Sequence, residues 1–133
     1  MYKDDLAYYA GFFDGEGSIM ITHRTKKHYH TLEIRITNTN YQVLKQFEDC
    51  FGGGVYKGSV INWRYKPRWQ WCISASKALA FLKLIYPYLR LKKKEAETAI
   101  EFQEGRKQGE QSVEKHRKEH FQYLRMKELK HAI

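Results

Sequence analysis

A chain of 133 residues, 42% hydrophobic and 15% aromatic, is long enough to bury one core, and a single domain over residues 1–133 is expected. The formal charge of +9, with ten tyrosines and three tryptophans among the basic residues, points to a polyanionic partner, most often nucleic acid. No run nears the ~18 apolar residues of a membrane span, Cys50 and Cys72 have no paired spacing, and the start, Met1 to Asp5, is neither signal nor transit peptide. No membrane partner, disulfide scaffold or secretion is expected, and an intracellular, reducing compartment fits best, be it bacterial or phage cytoplasm or an organelle matrix.

Residues 6–14 are predicted to form a helix. At 3.6 residues per turn Leu6, Tyr8, Tyr9, Phe12 and Phe13 make a bulky apolar face, and Ala7, Ala10, Gly11 and Asp14 make a small one. Glycine inside a helix costs ~1 kcal/mol against alanine, a cost offset where a second helix approaches closely. The helix is expected to stop at Gly15-Glu16-Gly17 through a left-handed glycine. Glu16 then hangs at a helix C-terminus, where the macrodipole is already negative and a carboxylate is disfavoured without a cation.

Two alternating runs follow. Ile19 and Ile21 share one face of a strand over residues 18–24, with Met20, Thr22 and Arg24 on the other. Residues 25–30 are a polar connection, and residues 31–38 alternate again, with Leu32, Ile34 and Ile36 inward and Thr31, Glu33, Arg35 and Thr37 outward. An antiparallel hairpin with a face of Thr, Arg and Glu carries side chains suited to base edges. Asn38-Thr39-Asn40 caps a second helix with Val43, Leu44, Phe47 and Phe51 on its apolar face, ended by Gly52 to Gly54. Val55 to Lys57 opens a second strand pair that passes a basic loop and returns as Arg68 to Ile73. Alternation buries Trp69, Trp71 and Ile73 and exposes Arg68, Gln70 and Cys72, while a shifted register would turn the tryptophans to nucleic acid. Ser74 or Ser76 caps a third helix marked by Leu79, Leu82 and Ile85, broken at Pro87. A fourth runs from Arg90 through Ala96, Ala99 and Ile100, and Gly105 and Gly109 precede a charged, peripheral helix over residues 112–131, marked by Val113, Phe121, Leu124 and Leu129.

Tyr9-Ala-Gly-Phe-Phe-Asp-Gly-Glu-Gly17 resembles the nine-residue signature of the LAGLIDADG homing endonucleases. Ser18-Ile19, the Ile-Thr-Asn-Thr-Asn end of the second strand, Phe-Gly-Gly-Gly at residues 51–54 and Tyr-Pro-Tyr-Leu-Arg-Leu-Lys at 86–92 follow in the family's order. The resemblance implies an α+β fold: an αββαββα core over about residues 5–104 with an antiparallel, saddle-shaped sheet, and additional C-terminal helices over about 105–133. One copy of the motif implies the homodimeric type, with Ala7, Ala10, Gly11 and Asp14 at the helix–helix interface.

For activity the resemblance implies a site-specific double-strand DNA endonuclease that hydrolyses phosphodiester bonds at a long, roughly palindromic site. Mg²⁺ is the implied cofactor, with Mn²⁺ as a substitute, held by Glu16 and the Gly15 carbonyl. Glu16, Asn38, Gln42 and Lys92 are the candidate catalytic residues, and Asp14 is assigned a structural role. Thr22, Arg24, Thr31, Glu33, Arg35, Thr37, Lys57, Arg64, Arg68 and Gln70 are the candidate DNA contacts. The rival within the family is a binder that does not cut, either an RNA maturase, for which RNA would be the partner, or a DNA-binding regulator. A competing motif, His116-Arg-Lys-Glu-His120, fits the H-x-x-E-H spacing of inverted zinc peptidases. Too little chain follows to complete such an enzyme, and surface histidines on a helix account for it.

Overall fold

Alternation at Ile19 and Ile21 against Leu32, Ile34 and Ile36 builds a hairpin whose apolar side chains all lie on one face, each of them buried. In the computed structural model, which describes residues 3–24, 29–58, 66–106 and 113–131, the chain opens with helix α1 (Lys3–Glu16), then strands β1 (Gly17–Arg24) and β2 (Tyr29–Asn38). Helix α2 (Tyr41–Phe51), strands β3 (Gly54–Lys57) and β4 (Trp69–Ser74) and helix α3 (Ala75–Ile85) follow. A 3-10 turn (Tyr86–Tyr88) leads to helices α4 (Lys93–Glu104) and α5 (Val113–His131). The four strands form one antiparallel sheet in the order β1-β2-β4-β3. This is the expected α+β architecture. No described helix is long and apolar enough to cross a membrane.

The helices supply the other half of the core. Phe13 from α1, Phe47 from α2 and Phe81 from α3 are fully buried around Trp71, with Trp71 5.0 Å from the Phe47 ring and 5.2 Å from that of Phe81. Burying aromatics of this size contributes about 1.5–3 kcal/mol each, so this cluster anchors the sheet to three helices at once. Trp71 donates its indole N–H to Gly52 O at 2.9 Å, which leaves no buried polar atom on that ring unpaired. The alternation reading of β4 therefore holds: Trp71 and Ile73 face the helices, and Trp69 is half-buried beside Tyr41, 4.8 Å away.

Asn40 is the N-cap of α2, its side chain accepting from Val43 N–H at 3.2 Å. Gly52 and Gly53 end that helix at φ of 86° and 82°, a region side chains rarely enter. A Cβ on Gly53 would also lie 2.1 Å from Ile73 Cγ2. The end of α1 differs from expectation. The helix runs through Glu16 directly into β1, and neither Gly15 nor Gly17 adopts positive φ. Gly17 is demanded by packing instead, because a Cβ there would sit 2.2 Å from the Phe13 ring.

Three other readings are corrected. His30 is not part of the hairpin connection but a β2 residue paired with His23, both on the helix side of the sheet. Helix α5 is not peripheral: Met126 is 2% exposed, and Glu119 and Gln122 are buried beside it. Its expected apolar marks, Phe121 and Leu124, are instead 70% and 50% exposed. A polar stripe at helical spacing covers the sheet here, with Glu119 ion-paired to Arg106 and Lys130 bonded to Ser18. The small stripe of α1 also divides. Ala7 and Gly11 are exposed, but Ala10 is fully buried within the chain and Asp14 is 8% exposed, while Tyr8, assigned to the apolar face, is 55% exposed. The outward face of α1 is thus Ala7, Tyr8, Gly11 and Gly15, at helical spacing.

Candidate nucleic-acid interface and acidic centre

The sheet face away from the helices is polar by the same alternation that makes the other apolar. Thr22 lies opposite Thr31, Met20 opposite Glu33, Ser18 opposite Arg35, and Thr37 opposite Gln70. Register thus brings six expected contact residues (Thr22, Thr31, Glu33, Arg35, Thr37 and Gln70) onto one surface. The face carries a groove of about 540 Å³ bounded by Thr22, Thr31, Glu33, Tyr56, Cys72 and Ser74. Arg35, on the same face, is held by Glu33: Nε and Nη2 donate to Glu33 Oε1 at 3.0 and 2.8 Å. That bond, more than burial opposes it, raises the guanidinium's pKa further. Arg35 also lies beside the Cys72 thiol, which burial pushes up.

Other expected contacts are placed differently. Lys57 pairs with Trp69, so its register puts it on the helix side at the exposed sheet edge, not in the outward row. A one-residue offset in β3 flips its face. Arg68 precedes β4, exposed, its carbonyl accepting from Gly58 N–H at 2.7 Å. Arg24 closes β1 opposite Tyr29, at the register position that continues the outward Met20–Thr22 row, and Arg64 lies outside the described residues.

At one end of this face α1 meets β1, and Glu16 is the last residue of that helix, exposed, with no described residue bonding its carboxylate. The cation demanded by a negative helix end is Lys92, whose ammonium donates to Asp14 O at 2.6 Å. Asp14 is the clasp that puts it there. Its carboxylate accepts the backbone N–H groups of Arg90, Leu91 and Lys92 at 2.9–3.1 Å. Burial pushes the Asp14 carboxyl up, but those N–H groups and the Lys92 charge outweigh it and hold the pKa below the usual carboxylate value.

Behind this clasp lie residues that the sequence reading missed. Glu95 is 5% exposed, and burial raises its pKa against the pull of Lys130 and Lys92. Lys130, on α5, donates to Ser18 Oγ at 3.0 Å, and burial lowers its pKa. Their only sequence signal is the i, i+4-like spacing of polar residues along α4 and α5, which reads as solvated surface until a partner element is known. Asn38 ends β2 two residues past the Gly17–Ile36 pair, at the Glu16 end of the hairpin, and its Oδ1 accepts from Asn40 N–H at 2.8 Å. Gln42 is exposed in the first turn of α2.

A sequence model described as LAGLIDADG endonuclease matches residues 9–107, from the α1 motif to just beyond α4. The chain belongs to the LAGLIDADG endonuclease family. Solved structures agree on the fold. An archaeal intron-encoded homing endonuclease, I-Vdi141I, complexed with DNA, superposes with a TM-score of 0.81 at 16% identity, covering 95% of this chain and 84% of that one. The homing endonuclease I-TnaI gives 0.72 at 21% identity, with 95% and 93% covered. I-CvuI in complex with its target in the presence of Ca gives 0.63 at 21% identity, covering 75% of this chain; the match spans 66% of that protein.

The donor set at the α1 terminus fits a hard divalent cation. Glu16 offers carboxylate oxygens, and the last carbonyls of a helix have no intrahelical donor, so Gly15 offers a backbone oxygen beside it. Mg²⁺ takes such oxygens while keeping several waters. No thiol or imidazole is needed, and Lys92 is held close by through its bond to Asp14 O.

Proposed function

We propose that this LAGLIDADG chain is a homing-type, site-specific double-strand DNA endonuclease, working as a homodimer with Mg²⁺. The observation that carries this reading is the exposed Glu16 at the end of α1, bonded by no described residue and adjoining a polar, grooved sheet face on a protein of charge +9. Glu16 and the Gly15 carbonyl would hold the cation. When bound, Mg²⁺ lowers the pKa of a water and offsets charge on the phosphate oxygens. Lys92 has three N–H donors, one of them used on Asp14 O, and the others face the phosphate as its charge develops. Asn38, whose Oδ1 is occupied, presents its amide N–H₂ to solvent-ordered groups, and Gln42 does the same from α2. Residues 1–133 act as one endonuclease domain, with α5 serving its core rather than extending from it. Incubating the protein with a randomised duplex library in Mg²⁺ or Mn²⁺ and sequencing the cut ends should return one long, near-palindromic site. Tight binding with the duplex intact in both metals would establish the maturase or regulator instead.

Homodimerisation is supported by the outward face of α1. A Cβ on Gly11 would meet nothing within 4 Å in the single chain, so nothing in the protomer repays glycine's cost of ~1 kcal/mol there. A second α1 packed on Ala7 and Gly11 does. Gly11→Leu should convert dimer to monomer in sedimentation equilibrium; a wild-type monomer at micromolar concentration without DNA would sink the homodimer.

DNA must also compete with Glu33 for Arg35. Glu33→Gln removes one negative charge from the face and frees the guanidinium, so affinity for unrelated duplex should rise about threefold to tenfold at low salt while discrimination falls. Fluorescence anisotropy showing neither change would remove this pair from the DNA surface.

A further inference from the structure

We propose that His23, His30 and His120 form a binding site for a divalent transition-metal ion of the Zn²⁺ class, separate from the acidic centre. Strand pairing puts His23 opposite His30 on the helix side of the β1–β2 hairpin, and α5 lays His120 across them. One ligand nitrogen from each ring lies within 4.8 Å of the others. His30 Nε2 and His120 Nδ1 are 3.1 Å apart. Nitrogens bound tetrahedrally at 2.0–2.1 Å stand about 3.3–3.4 Å apart, so one edge of the site is already formed. His23 is stacked on His30, centroids 4.5 Å apart and 14° from parallel, so binding an ion requires the His23 ring to rotate as well as to close a separation of at most 4.8 Å.

A second, independent feature points the same way. Metal-bound histidines commonly direct their other nitrogen at a carboxylate, which orients the ring and raises its basicity. His30 turns Nε2 toward His120, and its Nδ1 is 3.9 Å from Glu119 Oε2. Glu119 is 4% exposed, ion-paired to Arg106 Nε at 3.2 Å, and its buried oxygens have no hydrogen-bond donor among the described residues. A carboxylate is costly to bury in that state, and a cation shared through His30 accounts for its position. Three imidazoles leave a fourth position for water and suit Zn²⁺, Co²⁺, Ni²⁺ or Cu²⁺, whereas Mg²⁺ seeks oxygen. The Glu119-His120 half of the H-x-x-E-H motif thus acquires a role in a clamp between hairpin and helix, not in a peptidase. The ion would fasten α5, whose far end carries Lys130 to Ser18.

Tag-free, chelator-treated protein titrated with Co²⁺ should develop visible absorption saturating at one ion per chain. Zn²⁺ should displace it, and millimolar Mg²⁺ should not. Zn²⁺ should raise the melting midpoint. His120→Gln, a change at an exposed position, should abolish the absorption and the shift, and Glu119→Gln should weaken binding about 10–100-fold. Absence of a stoichiometric band, or His120→Gln binding as the wild type does, overturns the proposal. These measurements contain no DNA, so their failure leaves the endonuclease reading untouched, and a failure to cleave leaves this one untouched.

Discussion

Glu16→Gln should reduce DNA cleavage by about 10²–10³-fold or more while leaving the protein folded and able to bind its site. The side chain is exposed and no described residue bonds it, so the exchange should alter stability by no more than about 0.5 kcal/mol. Glutamine keeps the shape and one oxygen but loses the charge that holds a hard cation. In the proposed dimer two such carboxylates face the phosphates from helix ends that are already negative. Without metal, affinity should therefore hold or increase, since that repulsion has gone. With Ca²⁺, which takes oxygen ligands in looser geometry, the wild type should bind without turnover, and the variant should lose the calcium-dependent part of its affinity. Single-turnover cleavage within tenfold of wild type would remove Glu16 from the centre.

The parts of this protein governed by periodicity were readable in advance. Leu32, Ile34 and Ile36 specify the facing of β2, and Trp71 follows the same alternation, so the core side of the sheet and the polar surface opposite both come from counting in twos. What resisted reading was polar and buried. His30 sits on the inward face in register with Leu32, yet a histidine at the end of the polar run Thr25 to His30 looks like loop until His120 arrives from 90 residues away. Glu119 and Lys130 pack α5 partly through pairing, with Arg106 and Ser18, so the exposed Phe121 and Leu124 misdirect any reading by hydrophobic spacing. Glycine has two uses, and sequence does not separate them: Gly52 and Gly53 are needed for positive φ, Gly17 for room against Phe13. At the centre, Glu16 and Lys92 were assigned through the resemblance, Glu16 from the motif and Lys92 from the run at residues 86–92. The Asp14 clasp to residues 90–92 was visible only as a structural role with no partner, since its bonds span 76 to 78 residues of chain.

That clasp gives the largest expected loss of stability. Asp14→Ala should cost about 3 kcal/mol, because removing a buried carboxylate strands three backbone N–H groups that have no other acceptor in the turn. Against a total of roughly 5–15 kcal/mol for a protein of this class, that is a melting point lower by about 10 °C. Asp14→Asn should fall between, since one amide oxygen still accepts while the N–H₂ group opposes a donor. The pH dependence carries the sign. Asp14 has a lower pKa folded than unfolded, so the unfolded chain takes up its proton first as pH falls. Its stabilisation is complete above the unfolded value of about 3.9 and is lost as pH drops through the folded value below it. The difference in urea midpoint between wild type and Asp14→Ala should therefore be smaller at pH 3 than at pH 7. Because the same turn presents Lys92 to the α1 terminus, Asp14→Asn should also slow cleavage at temperatures where it remains folded. An Asp14→Ala protein within 1 kcal/mol of wild type at pH 7 would show that the turn holds Lys92 without the clasp.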